Sequence, residues 1–331
     1  MDLSIIIVNW NSAECLRQCL RTIYVRCREI QCEVIVIDNA SFDGSGQLLE
    51  DEFPEATFLQ STANLGFAGA NNAAFEHASG RNVLFLNPDT EIVGPALENM
   101  VSTLDSSSTS GIVGCKLLNS DGSVQTSCVQ RFPTVYNQLL DAELLRWMFP
   151  SAKIWGTGPL VQESAAPVTV DIVSGACLMI KSALFEKVGR FTSAYFMYGE
   201  DTDLCYKVKQ AGWSIEYISN AQVIHHGGRS SGARESLFAT VMMKQSLCEF
   251  IRRRQGRGHA LLYRGFMALA ASIRLTILCM TLVLTIGLFR RTRVLGAIEK
   301  WFNILRWALG LEEWVQGPFQ APAQRKCVIA Q

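Results

Sequence analysis

Residues 83–92 of this chain read Val-Leu-Phe-Leu-Asn-Pro-Asp-Thr-Glu-Ile, an apolar run that stops at a polar turn. Apolar residues that do not alternate with polar ones favour a strand buried on both faces of a parallel sheet. Pro88 cannot donate a ladder hydrogen bond, so we expect the strand to end at Asn87. Asp89 then follows the carboxyl end of the strand, where open α/β sheets bind ligands and a carboxylate can hold a divalent cation. The alternative is that Asp89 only caps the turn.

The stretches before this one repeat the pattern of a strand, a polar loop and a helix. Apolar runs predict strands at 3–8, 33–38 and 57–60, with helices between them. Such alternation is typical of a parallel α/β sheet. Asp38 closes the second strand, much as Asp89 follows the fourth. An acid at such a strand end accepts hydrogen bonds from a ribose or a base edge, and the alternative is again a loop cap.

Two glycines, Gly66 and Gly69, open the helix that follows the third strand. They allow close backbone approach, and the helix N-terminus can face an anion. Their spacing is not the GxGxxG of dinucleotide-binding proteins, and they follow the third strand rather than the first. The pattern therefore argues against a nicotinamide-dependent enzyme.

The composition gives no support to several classes of protein. The 331 residues are 49% hydrophobic and 18% charged, with a net charge of zero, so charge gives no argument for nucleic-acid binding. The eleven cysteines form no CxxC pair. We therefore expect a reducing compartment, without a disulfide framework or a zinc site. The N-terminus has no basic region before its first apolar run, so we expect no signal peptide.

A second polar stretch, Glu200-Asp201-Thr202-Asp203, begins a predicted helix after the aromatic run Tyr195-Phe196-Met197-Tyr198-Gly199. Acids at a helix N-terminus are stabilised by the helix dipole, which is the structural alternative. Aromatic residues that are costly to expose would instead form the walls of a sugar pocket. Further on, His225 and His226 follow a predicted strand, and an imidazole can complete a metal site with carboxylates. The alternative is a loop histidine without a ligand role.

The motifs VNWNS (8–12), VIDNAS (36–41), NLGFAGANN (64–72) and FLNPDT (85–90) together resemble those of the inverting family 2 glycosyltransferases. The likeness covers roughly residues 3–230 and is greatest to the rhamnosyltransferase-like branch, which builds bacterial cell-surface polysaccharides. It implies an α/β protein of the GT-A fold, with a Rossmann-like, mostly parallel sheet.

The resemblance also implies roles for particular residues. Asp201 would be the general base that takes the proton of the acceptor hydroxyl, with Glu200 orienting donor or acceptor. Asp89 would hold Mg²⁺ or Mn²⁺, with His225 preferred to His226 because it directly follows the strand. Asn87 stands where the family's metal motif has its first acid. The residues expected to contact the nucleotide sugar are Asn9, Asn11, Asp38, Asn64, Gly66, Asn72, Asn87, Asp89 and Arg229.

The predicted catalytic domain covers 1–232, with a nucleotide half to about 115 and an acceptor half after it. Residues 125–168 are irregular and are either an acceptor loop or a decoration. The extension 233–331 contains an almost wholly apolar segment, 265–289, and an amphipathic stretch rich in tryptophan and basic residues. These features favour attachment to the cytoplasmic face of a bacterial inner membrane, peripherally or through one segment, and the alternative is a helical cap.

The sequence thus predicts an inverting, metal-dependent glycosyltransferase. Its donor would be a dTDP-, UDP- or GDP-sugar, with rhamnose favoured by the resemblance, and its acceptor a lipid-linked or growing surface glycan. One alternative is a catalytically silent, membrane-bound protein that binds sugar nucleotides, which the Asn87 substitution favours and the Glu200-Asp201 pair opposes. A nucleotidyltransferase is a weaker alternative, because no basic glycine-rich loop follows the first strand.

Overall fold

A computed structural model describes residues 1–139, 164, 166–227, 237–284 and 291–312. The chain divides into two compact units, Met1–Phe266 and Met267–Gln331. The predicted boundary at 232 falls outside the described residues and stays a prediction. Most of the predicted insert 125–168 lies outside them too.

The first unit is built on a mixed sheet flanked by helices. The strands are β1 (Leu3–Asn9), β2 (Cys32–Asp38), β3 (Thr57–Gln60), β4 (Asn82–Leu86), β5 (Thr90–Val93), β6 (Ser110–Leu118), β7 (Val129–Gln130), β8 (Val168–Thr169), β9 (Ile172–Val173), β10 (Cys177–Lys181) and β11 (Ser214–His225). Among the described residues this sheet has nine strands, in the order β3-β2-β1-β4-β10-β6-β11-β5, with β8 also paired to β11. A separate two-stranded sheet joins β7 and β9.

The helices connect these strands and then continue beyond the sheet. They are α1 (Ala13–Arg26), α2 (Ser45–Glu52), α3 (Gly66–Phe75), α4 (Ala96–Ser106), α5 (Val135–Leu139), α6 (Ser182–Lys187), α7 (Glu200–Gln210), α8 (Leu237–Gln255), α9 (Arg257–Leu284) and α10 (Arg291–Ala308). A short 3-10 turn covers Thr126–Cys128.

The predicted parallel half of the sheet is confirmed. Strands β3, β2, β1 and β4 pair in parallel, with α1, α2 and α3 in the connections. Every residue of β1 and β4 is buried, as their non-alternating sequences predicted. Successive side chains enter the two hydrophobic cores on opposite faces of the sheet, so Leu84 packs in one core and Phe85 in the other. Each such side chain contributes about 1.5–3 kcal/mol by its burial.

The other half of the sheet contains antiparallel pairs that the sequence did not predict. β10 runs antiparallel to both of its neighbours, β4 and β6. The apolar stretch 171–180 forms two strands, β9 and β10, separated by a turn at Gly175–Ala176. β5 begins directly after Asp89 and pairs antiparallel with β11, which places Thr90 opposite His225. This register brings two segments that are far apart in sequence to the same edge of the sheet.

The sequence predicted no disulfide framework, but the described residues contain one disulfide. Cys27, at the end of α1, and Cys32, at the start of β2, form a disulfide. They flank a short connection, which brings them together although their spacing is not CxxC. The eight other described cysteines are free, and in the described part of the chain no group of three His, Cys, Asp or Glu side chains could hold a metal ion.

Helix α9 is the one described helix that is long and apolar enough to cross a membrane, with a mean hydropathy of 2.1 over its most apolar window. Its exposed apolar residues include Leu261, Leu269, Ile277 and Val283. Within the second unit, the guanidinium of Arg274 lies over the ring of Trp301, 4.1 Å from its centroid. The charge inside the apolar segment therefore has an aromatic contact.

Candidate functional site

Asp89 and His225 lie together at the carboxyl end of β4. The Asp89 side chain is buried, and its Oδ1 is 3.4 Å from Nε2 of His225. The Asn87 amide nitrogen is 3.3 Å from the same Nε2. The antiparallel pairing of β5 with β11 produces this proximity, since Asp89 precedes β5 and His225 ends β11. A carboxylate and an imidazole are donors that divalent cations accept, so the residues fit a cation here.

His226 has different partners from its neighbour. Its Nε2 is 2.7 Å from Oε1 of Glu91, and its Nδ1 is 2.7 Å from the Ser120 hydroxyl. Its backbone N–H donates to the carbonyl of Asp89. The structure therefore places His225, and not His226, beside the carboxylate of Asp89.

The sequence analysis missed Gln125, which contacts His225 twice. Its amide nitrogen is 2.7 Å from the backbone carbonyl of His225, and its Oε1 is 2.9 Å from Nδ1 of the same residue. Gln125 stands in an irregular segment, and nothing in the sequence pattern separates it from other polar loop residues.

Glu200 and Asp201 begin α7, after a turn in which Tyr198 and Gly199 have φ values of 68° and 82°. Asp201 keeps part of its surface accessible, and its Oδ2 accepts a hydrogen bond of 3.0 Å from the N–H of Gly175. Burial raises the pKa of Asp201, and hydrogen bonds from Gly175 and Thr202 oppose that rise only in part. A partly accessible carboxylate with a raised pKa is suited to accept a proton.

Glu200 is more deeply buried than Asp201, at 7% exposure. Burial, followed by the negative charge of Asp201, raises the pKa of Glu200 to about 8. In the part of the chain that the structure describes, no hydrogen-bond partner reaches its Oε2. Because this pKa lies above neutral pH, the carboxyl group is mainly protonated at pH 7, and its Oε2 is available for a hydrogen bond.

Asp203, the third acid of the motif, forms contacts that stabilise the fold. It is fully buried, and its Oδ2 accepts a hydrogen bond of 2.6 Å from the Thr192 hydroxyl. Its Oδ1 accepts from Nη2 and Nε of Arg254 on α8, at 2.5 and 3.1 Å. The hydroxyl of Ser246, also on α8, donates to the carbonyl of Met197. Helix α8 therefore holds the segment that carries Glu200 and Asp201.

Asp38 lies at the carboxyl end of β2 and is fully buried. Its Oδ1 accepts from Asn9 and Ser45, and its Oδ2 from the N–H of Ser41 and the amide of Gln60. Burial alone would raise the pKa of Asp38, but the hydrogen bonds lower it overall. Asp38 thus joins the loops that follow β1 and β2, and its contact with a nucleotide stays a prediction.

Asn11 and Asn64 also stabilise the loops at this edge. Oδ1 of Asn11 accepts from the N–H of Phe42, and Asn11 itself has a φ of 49°. Oδ1 of Asn64 accepts from the N–H of Gly66 and from the amide of Asn39. Their roles toward a nucleotide sugar remain predictions.

Gly66 and Asn72 connect α3 to the segment before α7. Gly66 has a φ of 71°, and a Cβ atom there would lie 2.3 Å from the carbonyl oxygen of Phe196. The Asn72 side chain donates to the carbonyl of Phe191 and accepts from its N–H. The close approach of Phe196 requires glycine at position 66. Both polar atoms of the Asn72 side chain form hydrogen bonds within the protein.

The two parts of the site meet at the turn between β9 and β10. The N–H of Asn87 donates to the carbonyl of Ala176 at 3.0 Å, while the N–H of Gly175 donates to Asp201. Two consecutive residues therefore link the segment of Asp89 to the start of α7. Arg229, the remaining predicted residue, lies outside the described residues.

The solved structures of similar fold include two that contain Mn²⁺. GalNAc-T7 with UDP, GalNAc and Mn²⁺ superimposes with a TM-score of 0.58 at 15% identity, covering 76% of this chain and 48% of that one. The mannosyltransferase PcManGT from Pyrobaculum calidifontis, in complex with GDP-Man and Mn²⁺, superimposes with a TM-score of 0.57 at 18% identity, covering 95% and 88%. The fold is therefore the GT-A fold of glycosyltransferases, as the motifs predicted.

Within this class, the chain belongs to glycosyl transferase family 2, whose family model matches residues 4–188. The N-acetylglucosaminyl-diphospho-decaprenol L-rhamnosyltransferase of Mycobacterium tuberculosis is 30% identical over 216 residues, which cover 60% of this chain and 68% of that protein. The low-salt glycan biosynthesis hexosyltransferase Agl10 of Haloferax volcanii is 28% identical, covering 68% and 67%. The rhamnosyltransferase WbbL of Escherichia coli is 25% identical, covering 49% and 61%. The predicted likeness to the rhamnosyltransferase-like branch is confirmed.

Proposed function

We propose that this protein transfers a sugar, with rhamnose favoured, from a nucleoside diphosphate sugar to a lipid-linked or growing surface glycan, with inversion at the anomeric carbon. The observation that carries the proposal is the position of Asp201. It is the second residue of α7, is partly accessible, and accepts a hydrogen bond from Gly175, whose neighbour Ala176 is hydrogen-bonded to Asn87 at the end of β4. The names of the relatives support a sugar donor and a lipid-linked acceptor.

Asp201 acts as the general base in this proposal. The acceptor hydroxyl gives its proton to the Asp201 carboxylate while its oxygen forms a bond to the anomeric carbon. The bond between that carbon and the diphosphate oxygen breaks, and the diphosphate leaves with the electron pair. Attack and departure occur on opposite faces, so the configuration inverts and no covalent enzyme intermediate forms. Burial raises the pKa of Asp201, which strengthens it as a base.

Asp89 and His225 would hold a divalent cation, which offsets the charge that develops on the leaving diphosphate. Two observations support this assignment: Oδ1 of Asp89 faces Nε2 of His225 at 3.4 Å, and both similar structures contain Mn²⁺. Asn87 replaces the first acid of the family's motif and contributes an amide toward His225. The nucleotide would bind along the loops joined by Asp38, with Asn9, Asn11 and Asn64 as their supports.

The acceptor would be presented at the cytoplasmic face of a membrane. Helix α9 has the length and apolar composition to enter a bilayer, and much of its apolar surface is exposed. The amphipathic α10 carries aromatic and basic side chains of the kind found at lipid interfaces. Association with the membrane would place the enzyme on the surface that carries a lipid-linked acceptor.

The test is nucleoside diphosphate release and sugar transfer by the purified full chain. Candidate dTDP-, UDP- and GDP-sugars are offered with Mn²⁺ or Mg²⁺ and a membrane extract as the source of acceptor. We expect turnover of one donor, which Asp201→Asn and Asp89→Ala abolish and the exposed-surface control Asp51→Asn leaves intact. Donor binding without turnover, the same in wild type and Asp201→Asn, would support a catalytically silent binding protein instead.

A further inference from the structure

Backbone hydrogen bonds fix the position of Gln125, and its side chain contacts His225. It follows the turn in which the N–H of Asn119 donates to the carbonyl of Ser123, and its own N–H donates to the carbonyl of Leu117 at 2.9 Å. The backbone of Gln125 is therefore attached to the end of β6. From there, the side chain reaches both the carbonyl and the ring of His225.

These two contacts show that Nδ1 of His225 carries a proton. A backbone carbonyl only accepts, so the Gln125 atom 2.7 Å from it must be the amide NH₂. The other amide atom is then Oε1, which also only accepts. Nδ1 of His225, 2.9 Å from Oε1, must therefore be the donor. In a neutral imidazole, Nε2 is left with a free lone pair.

That lone pair faces the predicted cation site. Oδ1 of Asp89 is 3.4 Å from Nε2, and a carboxylate oxygen is also an acceptor. Two acceptors that face each other repel unless a donor or a cation lies between them. The amide nitrogen of Asn87, 3.3 Å from Nε2, provides one long donor contact. A cation would satisfy both Asp89 and His225.

We infer that Gln125 is a positioning residue for the metal: it fixes the tautomer and the ring orientation of His225 so that Nε2 is presented to a divalent cation shared with Asp89. This inference rests on the cation site of the proposed function. Residues that hold a metal-binding histidine by its second nitrogen change metal affinity by about 10- to 100-fold when they are replaced.

The experiment measures Mn²⁺ binding to the full chain without turnover, by the electron paramagnetic resonance signal of free Mn²⁺. Titrations are done with Mn²⁺ alone and with Mn²⁺ plus UDP, GDP or dTDP. The variants are Gln125→Met, which keeps the volume of the side chain, and Gln125→Ala. Gln130→Ala is the matched control, because Gln130 also donates to a backbone carbonyl in this segment but does not contact His225.

We expect both Gln125 variants to bind Mn²⁺ about 10- to 100-fold more weakly, while Gln130→Ala binds like wild type. Pulsed resonance should also show a histidine nitrogen coupled to Mn²⁺ in wild type, and a weaker coupling in Gln125→Met. A merely structural role for Gln125 would lower the unfolding temperature without changing the affinity or the nitrogen signal of the folded protein.

Two results would overturn the inference, and only the second would also overturn the cation site of the proposed function. If wild type binds Mn²⁺ and loses it in Asp89→Ala, but both Gln125 variants bind it as wild type does, the inference fails and the cation site stands. If wild type binds Mn²⁺ no better than Asp89→Ala under every condition, both the inference and the cation site of the proposed function fail.

Discussion

Replacing Glu200 by glutamine should change how the stability of the protein depends on pH. Glu200 is buried, and burial together with the charge of Asp201 raises its pKa from 4.5 to about 8. In the unfolded chain the group has its ordinary pKa. Between these two values, the folded protein binds a proton that the unfolded chain releases. The folded state therefore becomes less stable as the pH rises from 4.5 toward 8.

The slope for one such group is about 1.4 kcal/mol per pH unit. From pH 5.5 to pH 7.5, Glu200 therefore lowers the free energy of unfolding of wild type by about 3 kcal/mol. Glutamine has nearly the same shape and does not titrate, so Glu200→Gln lacks this contribution. Other groups titrate in both proteins and largely cancel from the difference. The variant should gain about 3 kcal/mol relative to wild type between the two pH values.

The assay is urea-induced unfolding, followed by tryptophan fluorescence, of wild type and Glu200→Gln at both pH values. Glu50→Gln, at an exposed position on α2, is the control and should show no pH-dependent difference from wild type. A difference between wild type and Glu200→Gln that does not change with pH would refute the reasoning. A difference that changes in the opposite direction would show that Glu200 is stabilised as a carboxylate.

Two further substitutions test the packing that positions the site. Gly66→Ala should destabilise the protein by more than the ~1 kcal/mol expected of Gly94→Ala. Both glycines have a positive φ, but only at Gly66 would the added Cβ lie 2.3 Å from a carbonyl oxygen. Equal shifts of the unfolding temperature in the two variants would contradict this. Arg254→Ala should cost about 3 kcal/mol, because it removes two hydrogen bonds to the buried carboxylate of Asp203 and leaves only the ammonium of Lys207, 3.9 Å away. The exposed Arg252→Ala should cost under about 1 kcal/mol. Urea unfolding measures both, and similar losses would show that Arg254 is an ordinary surface residue.

The sequence was most informative where burial alone determines the structure. The apolar runs of β1 and β4 predicted strands with both faces covered. The predicted end of β4, at Asn87, differs by one residue from the observed end at Leu86. The position of Asp89 at the edge of the sheet followed from those strand ends. Hydrophobic periodicity is a local signal, so it can be read without knowing the rest of the fold.

The sequence was least informative where the structure depends on distant partners. The family resemblance implied that Asp89 and His225 share a metal site, but the residue patterns alone did not predict it. Their proximity follows from the pairing of β5 with β11, and β5 was not predicted. Gln125 reaches His225 across 100 positions of sequence. The four hydrogen bonds that Asp38 accepts likewise come from residues whose positions only the folded loops define.

The central claim is that Asp201 activates the acceptor for a single displacement. Its most direct test is the anomeric configuration of the product, determined by nuclear magnetic resonance after transfer from a donor of known configuration. The account predicts that the configuration is inverted, and that Asp201→Asn forms no product. Retention of configuration would contradict the account, because it requires either two displacements or attack from the side of the leaving group.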